Sequence, residues 1–158
     1  MGPWYSGNTS RLQREAGSSI LPGSTFIFME IIPPTKVKVV EIAGKGRGIV
    51  ATQKILKGEV IETCPIIIIS ETEKQFIETQ SDILKFYYLI QEDLERCCIM
   101  LGYGSIYNHS ENPNADIDYE ENKSQKYLKF IALCDINVGE EIVYDYEFEN
   151  NQPEYLKT

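Results

Sequence analysis

The stretch GEEIVYDY at residues 139–146 is the most informative part of this chain, and the other informative stretches precede it. Residues 141–144 have the alternating pattern of a short strand, and the Val-Gly pair that leads into them predicts a turn. Side chains two residues apart on a strand point to the same face, so we expect the phenols of Tyr144 and Tyr146 to share one pocket. A tyrosine hydroxyl can orient an amine without carrying charge at neutral pH. On this stretch alone, ordinary strand aromatics remain the alternative.

A second informative stretch, NHSENPN at residues 108–114, contains the only histidine of the chain, His109, together with three asparagines. Asparagine amides offer both donors and acceptors, which suits an amide-like or purine ligand. Nothing beside His109 has the pattern of a metal site, and no Ser-His-Asp order points to hydrolysis. A cluster of Asx turns that satisfies its own backbone is the alternative.

The third stretch is a glycine cluster, GKGRG at residues 44–48. It does not have the G-x-G-x-x-G spacing of dinucleotide-binding folds, and no helix start follows it to bind a pyrophosphate. It is not a P-loop either, because it has no Gly-Lys-Ser/Thr. Glycine does let backbone amides and carbonyls approach a small ligand closely. A plain turn between two strands is the alternative.

Many short strands, little helix and frequent glycine turns predict a mainly β domain with short helices. Ser70-x-x-Glu73 is a capping box and predicts a short helix over 71–79. Residues 83–101 fit either a helix or a hairpin, because their apolar spacing suits the first and their aromatic content the second. Pro65 is expected to break a strand. The predicted strands are Val37–Ile42, Ile49–Thr52, Glu59–Thr63, Ile66–Ile69, Ala115–Tyr119, Lys126–Leu133 and Glu141–Tyr144.

The composition of the chain narrows the classes of function. The 158 residues suffice for one core, and 24 acidic against 15 basic residues give a net charge of -9. Coating DNA through phosphate neutralisation needs a surplus of Lys and Arg, so we expect no direct nucleic-acid binding. A basic peptide is the electrostatically more favourable partner for an acidic chain. No apolar run approaches the roughly 18 residues of a membrane span, so no membrane role is expected. On composition alone, the usual explanation of such acidity is solubility.

We expect the chain to divide into a tail, one domain and a second tail. Residues 1–28 are rich in Gly, Ser, Pro and Thr and are interpreted as a poorly ordered tail or a non-native leader. Residues 29–150 form the expected domain, and 151–158 a C-terminal tail. The four cysteines form no CxxC pair, which argues against structural zinc and favours reduced thiols in an intracellular setting. Cytoplasm, nucleus and a secreted-effector pathway stay open.

Three stretches resemble the motifs of SET-domain protein lysine methyltransferases and occur in the same order along the chain as in that family. They are GKGRGIVA at 44–51, NHSENPN at 108–114 and GEEIVYDY at 139–146. The resemblance covers about residues 35–148. It implies a SET-domain β-fold in which the Asn-His-Ser segment threads beneath the C-terminal loop as a pseudoknot. It also implies S-adenosylmethionine as the cofactor, S-adenosylhomocysteine as its product, and a reaction without metal.

The resemblance assigns cofactor contacts residue by residue. The Lys-Gly-Arg segment matches positions whose backbone holds the methionine part of the cofactor, and the Asn-His pair matches those that bind its amino group and adenine. The cofactor-binding residues that it implies are Lys45, Gly46, Arg47, Asn108, His109, Tyr146 and Phe148.

The resemblance also assigns the catalytic residues. Tyr146 matches the catalytic tyrosine, and Tyr144 matches the position where Tyr or Phe sets the degree of methylation. Because a hydroxyl at Tyr144 takes up room and holds a water, we expect mainly monomethylation with some dimethylation. Tyr88, Tyr107 and Tyr144 are the candidates for the lysine channel. Burial beside a cationic sulfonium lowers the pKa of the target lysine, since desolvation and like charge both disfavour ammonium.

The sequence departs from the family at two places. Ser105 stands where many members carry arginine, and the Cys-rich zinc segments that flank the domain in others are absent, as in the compact bacterial and viral SET proteins. Phe148, Tyr155 or a second subunit would then close the channel, which makes a homodimer one expectation. The expected substrate is a Lys-rich protein or peptide such as a histone tail. A catalytically weak SET-fold module that binds basic peptides is the alternative function.

Overall fold

The computed structural model describes residues 31–81, 83–91, 96–122 and 125–146. The tails predicted at 1–28 and 151–158 lie outside the described residues. Across the described ranges the chain forms nine strands, one α-helix and two short 3-10 turns, so the prediction of a mainly β domain with short helices is confirmed.

The fold begins with a hairpin of β-branched residues. β1 (Val37–Ile42) pairs antiparallel with β2 (Gly46–Ala51). Gly44 and Gly46 have φ angles of 77° and 79°, a left-handed conformation that glycine tolerates best, so the glycine cluster does make the turn between the strands. β2 begins inside that cluster, earlier than the predicted Ile49, because its first residues pair with the end of β1.

A four-stranded sheet is built on this hairpin, in the order β1-β2-β9-β6. β9 (Glu141–Tyr144) has the predicted bounds and runs antiparallel to β2. β6 (Asn108–His109) is only two residues long and lies parallel to β9 at the edge of the sheet.

A second sheet has five strands in the order β4-β5-β3-β8-β7. Its central strand β3 (Val60–Ile69) continues through Pro65, so the expected break there is wrong. β3 pairs with β8 as far as Pro65 and with β5 from Ile66 onward. Proline has no N–H to donate, and it is accommodated where the hydrogen-bonding partner of the strand changes.

The outer strands of this sheet form two hairpins. The sequence of residues 83–101 is compatible with a helix or a hairpin, and the structure has a hairpin. It pairs β4 (Tyr88–Gln91) with β5 (Arg96–Met100) and follows a 3-10 turn at Leu84–Phe86. β7 (Ala115–Asn122) and β8 (Gln125–Ala132) extend further towards each other than predicted.

The described residues contain the α-helix α1 (Glu71–Gln80), which starts as the sequence predicts. The Ser70 hydroxyl accepts from the Glu73 N–H, and the Glu73 carboxylate accepts from the Ser70 N–H at 2.8 Å, which completes the capping box. Ile77 packs from α1 against Ile69 and Cys97 in a small apolar cluster. Among the described residues, no helix is long and apolar enough to cross a membrane.

One larger core joins the two sheets. Ile49 and Ile142 come from the four-stranded sheet, and Leu128 and Phe130 from the five-stranded sheet. All four side chains are fully buried, and burial of this kind contributes roughly 1.5–3 kcal/mol for each large apolar side chain. This core fixes the position of β9, which carries the C-terminal motif, relative to the rest of the molecule.

Candidate active site

The NHSENPN and GEEIVYDY stretches lie side by side because β6 pairs with β9. Asn108 is opposite Val143 and His109 is opposite Tyr144 in this parallel pair. The Asn114 side chain reinforces the contact, since its Nδ2 donates to the Glu141 carbonyl at 2.8 Å and its Oδ1 accepts from the Val143 N–H at 2.9 Å. The asparagine-rich loop therefore clamps the last strand and does more than satisfy its own backbone. The threading of a pseudoknot stays a prediction.

Asn108 links three parts of the chain. Its Nδ2 donates to Glu141 Oε1 at 2.7 Å and to the Arg47 carbonyl at 3.2 Å. Glu141 Oε2 in turn accepts from Lys45 Nζ at 3.2 Å. The first and third motifs therefore meet at the amide of the second, and Asn108 Oδ1 is the acceptor that remains for a ligand ammonium group.

Gly48 shows why the glycine cluster is needed beyond its turn. A Cβ at Gly48 would lie 2.7 Å from Asn108 Nδ2, 2.9 Å from Glu141 Oε1 and 2.6 Å from Ile42 Cγ1. By contrast, a Cβ at Gly44 or Gly46 would meet nothing within 4 Å, so their requirement is conformational. The absence of a side chain at Gly48 lets the loop backbone approach Asn108.

His109 is tied to the start of the segment that follows β9. Its Nδ1 accepts from the Tyr146 N–H at 3.1 Å and lies 3.6 Å from Asp145 Oδ1. The side chain is 11% exposed, and its ring lies 5.3 Å from the Tyr146 ring, centroid to centroid. His109 therefore helps to orient Tyr146 through its backbone.

The two tyrosines of the C-terminal motif are in contact, as the sequence predicts. The rings of Tyr144 and Tyr146 lie 4.7 Å apart at 46°. Tyr144 is 4% exposed and meets the edge of Phe130 at 5.2 Å. Desolvation by burial raises the pKa of the Tyr144 phenol well above its ordinary value, so it stays neutral. The Tyr146 hydroxyl donates to the Tyr107 carbonyl at 2.6 Å.

Of the remaining candidates for the lysine channel, Tyr107 and Tyr88 lie in different surroundings. The Tyr107 side chain is 1% exposed and its ring stacks on Phe130 at 4.0 Å, so its backbone carbonyl is the part that meets Tyr146. Tyr88 packs on the apolar cluster beside α1, and its hydroxyl donates to Glu78 Oε1 at 2.7 Å. Its place in the channel stays a prediction. Phe148 and Tyr155 lie outside the described residues.

Two acidic residues near the site were missed by sequence reasoning in this role. Glu141 orients Asn108, and Glu62 is buried beside the Tyr107 hydroxyl. Glu62 is the only charged residue in the apolar run of β3, which is the one signal that could have singled it out. Ser105, at the place where many family members carry arginine, donates to the Met100 carbonyl at 3.1 Å.

The described part of the chain brings no three metal-ligating side chains close enough to hold a metal ion. The polar groups around Asn108 suit an organic cation instead. The Arg47 carbonyl, the Asn108 amide oxygen and the Glu141 carboxylate are all hydrogen-bond acceptors. A cofactor that carries an α-amino group fits this chemistry.

Comparison with known proteins places the chain in a family. Residues 46–147 match the family model of the SET domain. The N-lysine methyltransferase KMT5A-A of Xenopus laevis is 28% identical over an alignment of 119 residues that covers 70% of this chain and 36% of that protein. The histone-lysine N-methyltransferase, H3 lysine-37 specific, of Schizosaccharomyces pombe is 26% identical over 102 residues, which are 65% of this chain and 67% of that protein.

Solved structures are similar in fold. CpSET8 from Cryptosporidium superposes with a TM-score of 0.59 at 26% identity, covering 72% of this chain and 58% of that one. The chain thus spans about a third of the length of its Xenopus relative and more than half of the solved chain.

Proposed function

Because the chain belongs to the SET-domain family, we propose that it transfers a methyl group from S-adenosylmethionine to the ε-amino group of lysine in a basic protein segment, with monomethyl-lysine as the main product. The names of the similar proteins, which are N-lysine and histone-lysine methyltransferases, support this reaction class. A histone tail is the first substrate to test.

One observation carries the proposal: the pairing of β6 with β9 gathers all three motifs at one place. The Asn108 amide bonds to the glycine loop, and His109, the next residue, lies opposite Tyr144, whose ring contacts Tyr146. These contacts link segments separated by as many as 94 positions, from Arg47 to Glu141, through Asn108. A module that only bound basic peptides would need no such convergence.

The residues around Asn108 are suited to hold the cofactor's amino acid part. The Asn108 Oδ1 and the Arg47 carbonyl would accept from its ammonium group, while Glu141 keeps the amide in that orientation. Lys45, which now pairs with Glu141, is the nearby cation for its carboxylate. When bound, S-adenosylmethionine supplies a methyl group on a sulfonium that is already a good leaving group.

Tyr146 would orient the lysine amine. Its hydroxyl donates its one O–H in the hydrogen bond to the Tyr107 carbonyl, so the oxygen lone pairs remain to accept from an N–H of the amine. The amine attacks only when neutral, and desolvation in the channel lowers the lysine pKa towards that form. Holding the two reactants in line is the main contribution that the protein can make.

Tyr144 would limit the product to monomethyl-lysine. Its ring is held between Phe130 and Tyr146, so the hydroxyl has little freedom to move aside. A methylated amine needs more room than a primary one, and the hydroxyl at Tyr144 reduces that room.

The acidic surface supports a basic substrate. The exposed acids of β7, Asp116, Asp118 and Glu120, lie on one face of that strand, and the whole chain carries a net charge of -9. Such a charge raises the rate of encounter with cationic segments at low salt.

The test is transfer of a tritiated methyl group to purified core histones and to a Lys-rich peptide. Matched acceptors whose lysine amines have been acylated serve as controls. We expect label in the free-amine acceptors and none in the acylated ones. Cofactor binding by calorimetry without transfer to any lysine-containing protein pool would contradict the enzyme and favour the peptide-binding module.

A further inference from the structure

We propose that Glu62 is a positioning residue for the reaction: through the hydroxyl of Tyr107 it fixes the carbonyl that orients Tyr146. The inference rests on the proposed methyl transfer and adds to it a residue 84 positions before Tyr146 in the sequence. None of the three motifs contains Glu62.

Glu62 is held on both of its oxygens. Oε1 accepts from the Tyr103 N–H at 2.8 Å, and Oε2 accepts from the Tyr107 hydroxyl at 2.9 Å. The side chain is 4% exposed, and it is the one charged residue that is buried among the described residues. The chain turns over it at Gly102, whose φ is 81° and where a Cβ would overlap Glu62 Oε1. The carboxylate is therefore enclosed by the loop that leads to Tyr107.

Burying a carboxylate costs desolvation free energy, so a buried glutamate needs specific hydrogen-bond partners. Desolvation raises the pKa of Glu62, and hydrogen bonds from the Tyr103 N–H, the Tyr107 hydroxyl and the Cys64 thiol oppose that rise. An apolar side chain of similar size would fill the same space at lower cost. What an apolar side chain cannot do is hold a hydroxyl at a fixed point. The feature that distinguishes Glu62 from a packing residue is thus its bond to Tyr107.

Tyr107 connects this anchor to the catalytic group. Its ring is fixed at the hydroxyl by Glu62 and on its face by Phe130, 4.0 Å away at 24°. Its carbonyl accepts from the Tyr146 hydroxyl at 2.6 Å, and Asn108 follows it directly in the chain. A ring that is locked at two places restricts the backbone of the same residue. The direction of that carbonyl decides where the Tyr146 oxygen points.

The experiment compares Tyr107→Phe, Glu62→Leu and the double variant in the full chain. Tyr107→Phe keeps the ring on Phe130 and removes only the bond to Glu62. We expect kcat to fall about tenfold, since small misplacements of a reacting group have effects of this size or larger. The KM for S-adenosylmethionine should stay within about twofold. The kcat of the double variant should be no lower than that of Glu62→Leu, because both changes remove the same hydrogen bond, between Glu62 and Tyr107.

Tyr119→Phe is the matched control. Its hydroxyl donates to Glu121 Oε2 at 2.9 Å, the same type of bond at the same length, on the exposed strand β7. We expect its kcat to equal that of the wild type. If Glu62→Leu fails to fold, Tyr107→Phe and Tyr119→Phe decide the matter by themselves.

Three results would overturn the inference while leaving the proposed reaction intact: an unchanged kcat in Tyr107→Phe, a rise in cofactor KM without loss of kcat, or additive losses in the double variant. Absence of methyl transfer by the wild-type chain would overturn both. The two failures are therefore distinguishable in one set of assays.

Discussion

The Tyr146 hydroxyl donates a hydrogen bond of 2.6 Å to the carbonyl of Tyr107. This bond joins the C-terminal motif to the residue immediately before the Asn-His pair. It leaves the Tyr146 oxygen as an acceptor and sets its direction. The proposed orientation of the lysine amine depends on this one contact.

The degree of methylation should depend on Tyr144. We expect Tyr144→Phe to raise the share of dimethyl-lysine several-fold, because the lost hydroxyl leaves room for a methylated amine. The ring contacts with Phe130 and Tyr146 would remain, so the fold should not change. Mass spectrometry of a peptide product measures the distribution. The same distribution in both proteins would refute the assignment of Tyr144.

Cofactor affinity should depend on Glu141. We expect Glu141→Ala to weaken S-adenosylmethionine binding about tenfold, since it removes the carboxylate that holds the Asn108 amide in its orientation. Asp118→Ala removes an exposed acid from β7 and is the control for net charge. Calorimetry gives both affinities. Equal weakening by the two variants would mean that charge alone, and not the position of Asn108, is responsible.

Gly48 should tolerate no side chain. We expect Gly48→Ala to lower both thermal stability and cofactor affinity, because its Cβ would press on Asn108 and Ile42. Gly58→Ala is the control, since Gly58 has a φ of 79° and open space around it. That control should lose about 1 kcal/mol of stability through backbone strain and keep its cofactor affinity. Wild-type affinity in Gly48→Ala would contradict the close approach.

The pH dependence of the free energy of unfolding should show the raised pKa of Glu62. Its pKa is raised in the folded protein above the ordinary 4.5, so the folded state binds more protons than the unfolded state once the pH exceeds that value. The contribution of Glu62 to stability therefore falls as pH rises from about 4.5 to its folded pKa, and is constant above it.

Urea unfolding of the wild type and of Glu62→Leu between pH 4 and 8 tests this. The exposed acids with lowered pKa values, such as Glu59 and Asp135, are common to both proteins and gain stability with pH in both. We expect the wild type to lose stability relative to the variant as the pH rises. Parallel curves would show that the Glu62 pKa is not raised.

The sequence predicts those elements whose signals are local. Ser70 and Glu73 place the start of α1 because a capping box lies within four residues, and alternation gives β9 its bounds. The course of β3 through Pro65 was not predictable, because it depends on β8 and β5 as partners far along the chain. Local pattern cannot report such pairing.

The candidate site divides in the same way. The resemblance placed the Asn-His pair and the two tyrosines, and their contacts are consistent with it. Glu62 and Tyr107 are 45 positions apart, and neither stands in a pattern that links them. Their bond exists only because the loop at Gly102 folds over the carboxylate.

Single-turnover methyl transfer to a Lys-rich peptide, compared between the wild type and Tyr146→Phe, tests whether the Tyr146 hydroxyl orients the lysine amine. The variant keeps the ring contacts with His109 and Tyr144 and loses only the hydroxyl that bonds to Tyr107. Calorimetry first checks that both proteins bind S-adenosylmethionine with the same affinity. We then predict a methyl-transfer rate at least about tenfold lower in Tyr146→Phe than in the wild type, since the amine is no longer oriented. Equal transfer rates in the two proteins would contradict the account.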